Sequence, residues 1–84
     1  MLLRRSNKLN RQRRKDIKQA VSLLETALNI IEIARNDEQD CLDNMPENLE
    51  YSERYEKMEN AVEKLDDAIS SIEEAKDALE EAAE

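Results

Sequence analysis

The chain has 84 residues, 40% of them charged, a formal net charge of −8, and no Gly, His, Phe or Trp. Such a length holds one small domain near the lower limit of independent burial. The missing residue types remove the commonest general base and metal ligand, the glycine loops that cradle phosphates and most sheet-forming aromatics.

What remains is a helix composition, rich in Ala, Leu, Glu, Lys and Arg. Its 39% apolar content falls at regular intervals, which a disordered chain does not require. The start, "MLLRR", carries two leucines before its arginines, short of the roughly 7–15 apolar residues of a signal peptide, and no stretch approaches the roughly 20 of a membrane span. Cys41 stands alone and cannot form an internal disulfide, so a reduced, cytoplasmic location without membrane contact is expected.

The first stretch, "RRSNKLNRQRRKDIK" at residues 4–18, is basic. Residues 1–18 hold eight Lys or Arg and one Asp, so 20 of the 21 acidic side chains follow Lys18. Residues 1–7 are expected to fray, with helix 1 over 8–44. From Ile17 the apolar residues step by four and three through Val21, Leu24, Leu28 and Ile31 to Leu42 and Met45, a heptad seam. Arg35 and Glu38 interrupt it, either snorkelling to water or fixing register.

A ladder of small residues, Ala20, Ala27, Ala34 and Cys41, runs beside this seam at strict intervals of seven, and Cys41 is expected to be a buried space-filler. Leu23 and Ile30 interleave with the ladder, and Ile33 widens the stripe. One neighbouring helix cannot cover both stripes, so Ala20, Leu23, Ala27, Ile30, Ile33 and Ala34 form a predicted association surface. A twofold dimer closing into a four-helix bundle is the simplest cover, and a different protein partner is the alternative.

The turn falls at 45–51, in "DNMPENLEYS". Pro46 disfavours helix at Met45, Asn44 can end helix 1, and Ser52 can cap helix 2, with Glu53 in its first turn. Alternatively, Pro46 opens helix 2 at its first position. Tyr51 and Tyr55 either cover the end of the core or anchor a partner at the tip.

Helix 2, over 52–83, repeats the seam at Met58, Val62, Leu65, Ile69, Ile72, Leu79 and Ala83, interrupted by Lys76. Its own ladder is Ala61, Ala68, Ala75 and Ala82. The expected fold is therefore all-α, an antiparallel two-helix hairpin of coiled-coil type forming one domain. Facing residue numbers total about 96, placing Ile17 near Leu79, Leu24 near Ile72 and Ile31 near Leu65, for helices of roughly 50 Å each.

In this register Arg13, Arg14, Lys15 and Lys18 fall beside Asp77, Glu80, Glu81 and Glu84, so each helix sets its unfavourable terminal charges against the other's. The basic cluster reads first as this counterweight. The second reading is a contact to nucleic acid or an acidic partner through Arg4, Arg5, Lys8 and Arg11, against which stand the acidic whole and two Tyr far from the arginines.

Paired carboxylates such as Asp66–Asp67 and Glu73–Glu74 stand on the solvated face, with nothing to set them up for acid–base work. The expectation is a non-enzyme without cofactor, metal or small-molecule substrate that acts as a self-associating helical interaction module. The alternative is an acidic decoy for a nucleic-acid-binding protein, built on the row Glu56, Glu59, Glu63, Asp66, Glu73, Asp77, Glu80 and Glu84.

The stretch "DEQDCLDNMPENLEYSERYEKMENAVEKLDDAISSIEEAKDALEEA", and within it "DNMPENL" followed by "SERYE", resembles a recurrent type of short acidic helical protein of bacterial genomes, phages and mobile elements. The likeness spans about Arg13 to Ala82. It implies an accessory role in a bacterium or phage and carries over no functional residues.

Overall fold

The computed structural model describes residues 2–49 and 52–84, with side-chain surroundings for 10–48 and 52–84. Helix α1 spans Leu2–Asp43, a short 3₁₀ helix spans Glu47–Leu49, and helix α2 spans Glu53–Ala82. The two long helices pack against each other as an antiparallel hairpin, and no strand occurs among the described residues. The result is a rod of 72 × 15 × 14 Å. Its radius of gyration is 19.8 Å, against about 12 Å for a compact globule of this length, so it has no globular centre.

Helix α1 begins before the expected start near residue 8, which lengthens the rod beyond two matched 50 Å helices. Residues 2–7, expected to fray, continue the helix, and the side chains of residues 1–9 lie outside the described residues.

The turn is made without glycine, and no described residue has a positive φ. A chain lacking glycine cannot close a helix cheaply with a left-handed residue. Asn44 closes α1 instead. Its backbone N–H and its side-chain Nδ2 both donate to the Asp40 carbonyl, at 3.0 and 2.8 Å. Met45 N–H then donates to Leu42 O at 3.2 Å.

Pro46 follows, and the chain passes through the 3₁₀ turn before α2, so Pro46 does not sit at the first position of α2. Ser52 caps α2 as its type and place predict, its hydroxyl accepting from Tyr55 N–H at 3.1 Å. Glu53 and Glu56 lie in that first turn, where carboxylates favour the positive end of the helix dipole. Tyr55 is half-buried at this end of the hairpin, whereas Tyr51 lies outside the described residues.

The seam is the core, and it is thin. Leu28 at 9% exposure and Val62 at 7% are its buried members, and no described side chain is fully enclosed. Ile17, Val21, Leu24, Ile31 and Leu42 on α1 are half-buried, as are Met58, Leu65, Ile69, Ile72 and Leu79 on α2. Two helices in contact share one line of approach, so the seam residues other than Leu28 and Val62 keep one flank open to water.

The ladders divide. Ala20 and Ala27 on α1 and Ala61 and Ala68 on α2 are half-buried, while Ala34, Cys41, Ala75 and Ala82 are exposed. Cys41 is therefore not the buried space-filler that its place on the ladder predicts. A position beside the seam has the opposing helix on one side only, and a small side chain there is too short to reach it.

Candidate functional site: an apolar face on helix α1

The long polar side chains at the seam show how the helices are held in register. Arg35 Nε donates to Asp66 Oδ1 at 2.8 Å, with the Arg35 side chain 29% exposed. Lys76 Nζ lies 3.5 Å from Glu25 Oε1, with the Lys76 side chain 21% exposed.

The residue numbers of both pairs total 101, so each joins an α1 residue to an α2 residue farther from the turn than the expected register of about 96 places it. Side chains lean toward the N-terminus of their own helix, which is away from the turn on α1 and toward it on α2. An α1 residue therefore meets an α2 residue set higher on the rod, and the two side chains converge. Arg35 and Lys76 cover the seam with their stems and carry their charges to its edges, where carboxylates of the opposite helix receive them.

At the far end, Arg14 crosses between the helices. Its Nε donates to Ala83 O at 3.0 Å and its Nη2 to Glu84 O at 3.1 Å. The last turn of α2 has no basic residue of its own. Arg14 supplies the positive charge and donors that such a helix end lacks. Arg14 thus meets main-chain oxygens of Ala83 and Glu84 in place of the side-chain carboxylates of Asp77, Glu80, Glu81 and Glu84 predicted for the cluster. Lys18 lines a shallow depression with Ile17, Val21, Glu80, Ala83 and Glu84.

Of the predicted nucleic-acid contacts, Arg11 is exposed beside Arg14, Lys15 and Lys18 in a second open depression on α1. The side chains of Arg4, Arg5 and Lys8 lie outside the described residues.

The predicted association surface is where the fold leaves apolar area uncovered. Leu23 is 63% exposed, Ile30 62% and Ile33 62%, the large hydrophobic side chains most open to water among the described residues. Ala20 and Ala27 lie half-buried between this stripe and the seam, and Ala34 is exposed along it. One contiguous face on α1 thus combines two leucine-sized side chains a heptad apart with alanines that let another backbone approach closely.

Among the described residues no group of three or more His, Cys, Asp or Glu is placed to hold a metal ion, and no helix is long and apolar enough to cross a membrane. Comparison of the chain with protein-family models, with curated proteins and with solved structures gives no match.

Proposed function

We propose that the protein is a non-enzymatic, self-associating helical interaction module whose docking surface is the face Ala20, Leu23, Ala27, Ile30, Ile33 and Ala34. The observation that carries this reading is the exposure of Leu23, Ile30 and Ile33 beside a core in which, among the described residues, only Leu28 and Val62 are buried. A hairpin of this size with so little enclosed apolar surface is marginal alone, and small scaffolds gain their missing burial by oligomerising.

A second copy covers the stripe, and two hairpins side by side make a four-helix bundle. The resemblance carried by "DNMPENL" and "SERYE" supports an accessory role in a bacterium or phage, exercised in the cytoplasm. The test is sedimentation velocity of the unaltered chain and of a Leu23→Glu, Ile30→Glu variant. The unaltered chain associates, while the variant sediments as a single chain with unchanged helical circular dichroism. A single chain at every concentration for the unaltered protein overturns the reading.

A second reading rests on Glu56, Glu59, Glu63, Asp66, Glu73, Asp77, Glu80 and Glu84, all exposed, with Asp66 paired to Arg35. Such a row suits an acidic decoy that occupies the basic groove of a nucleic-acid-binding protein. Retention of such a partner at low salt, lost on adding salt, supports it, and failure to retain any at low salt removes it.

A further inference from the structure

The face on α1 lies between two oppositely charged ends of the same helix. Arg13 and Lys15 flank its line toward the N-terminal end, and Asp37, Glu38 and Asp40 flank it toward the C-terminal end. We infer that two copies dock antiparallel through α1, about a twofold axis near Ala27 that sets each Leu23 against the partner's Ile30. This rests on the proposed self-association and specifies its orientation and register.

The charges decide the orientation. Side by side in the same direction, two copies bring Arg13 and Lys15 onto their own counterparts at one end and Asp37 and Asp40 onto theirs at the other. Turned end for end, Lys15 comes within one helical turn of the partner's Asp37 and Asp40, and Arg13 within one turn of the partner's Glu38. Like charges in opposition are disfavoured and opposite ones favoured, so partner orientation follows the charge pattern while the apolar stripe supplies the adhesion.

The apolar spacing decides the register. In the antiparallel arrangement Leu23 and Ile30 exchange places about the axis, and Ala27 lies at the point of closest approach, where a small side chain is required. One opposition is adverse. Asp16 comes level with the partner's Asp37, and Gln12 Nε2 holds Asp16 at 3.0 Å along its own helix.

Cys41, exposed on the same side of α1, makes the geometry testable. In this register Gln12 of one copy faces the partner's Cys41, while the two Cys41 residues stand about 40 Å apart along the axis. A disulfide requires Cα atoms within about 7 Å. Within one chain residues 12 and 41 are equally distant on a single helix, so any bond between them joins two copies.

The experiment oxidises three full-length chains mildly: the unaltered chain, Gln12→Cys, and Gln12→Cys with Cys41→Ser. Parallel samples in denaturant give the collisional baseline, and sedimentation of the reduced chains reports association independently. The inference predicts that a covalent dimer becomes the main species for Gln12→Cys alone, with the other two at baseline.

Dimers on sedimentation together with a Cys41–Cys41 bond in the unaltered chain overturn the antiparallel orientation and leave self-association standing. Dimers without a covalent product from Gln12→Cys overturn the register. Single chains on sedimentation remove both the orientation and the function on which it rests.

Discussion

Replacing Leu28 and Ile30 by Ala, one at a time, separates what the hairpin needs from what its docking face needs. Leu28 is 9% exposed in the seam, and truncating a leucine that is nearly dry costs roughly 2–3 kcal/mol through lost burial and the gap left behind. In a chain of this size that is a large share of the total stability and lowers the unfolding temperature by about 10–20 °C.

Ile30, two residues on, is 62% exposed, so the single chain gives up little burial on truncation, and Ala is the better helix former. In the dilute limit the change stays within about 0.5 kcal/mol. At high concentration the order changes. Association stabilises the folded chain by mass action, so the unaltered protein melts higher as it is concentrated, and Ile30→Ala loses that gain.

The assay is thermal unfolding followed by circular dichroism over a dilution series. Leu28→Ala is destabilised at every concentration, whereas Ile30→Ala matches the unaltered chain when dilute and falls behind when concentrated. Equal losses for the two variants in the dilute limit would mean that Ile30 is buried within the hairpin itself and leaves no docking face.

Other substitutions test the contacts that hold the helices. Ser52→Ala removes the hydroxyl that accepts from Tyr55 N–H and lowers stability by about 1 kcal/mol in urea unfolding, while Ser52→Asp retains most of it. Arg14→Ala withdraws two donors from the end of α2, and hydrogen exchange should accelerate at Leu79–Glu84 with little change near the turn. A double-mutant cycle on Arg35 and Asp66 should return a coupling of about 0.5–1 kcal/mol, discounted for the 52% exposure of the Asp66 side chain, and should shrink as salt is added.

The two helices and their antiparallel packing were legible in the sequence because a heptad seam encodes both a period and a direction of contact. Leu28 and Val62, which lie on the two seams, are the buried pair. The exposed stripe was equally legible, since Leu23 and Ile30 sit off the seam by a fixed angle and one neighbour cannot reach them.

Residue type marks Asn44 and Ser52 as the helix ends, and both close them, but the pattern did not reveal the bonds that Asn44 makes or the shape of the turn. Periodicity says nothing of Asn44 folding back on Asp40 or of the 3₁₀ turn at Glu47–Leu49, because these depend on backbone donors and acceptors that every residue carries. The expected pairing of Arg14 with carboxylates missed its carbonyl acceptors for the same reason. Cys41 was misread because a place on the ladder fixes which side a residue faces, not whether anything stands there.

The most direct test is sedimentation equilibrium of the unaltered, reduced chain over a wide concentration range. A self-associating pair raises the mass from the 9.8 kDa of one chain to twice that value, where it stops. A mass that stays at one chain throughout contradicts self-association, for then Leu23, Ile30 and Ile33 remain in water with no second copy to cover them.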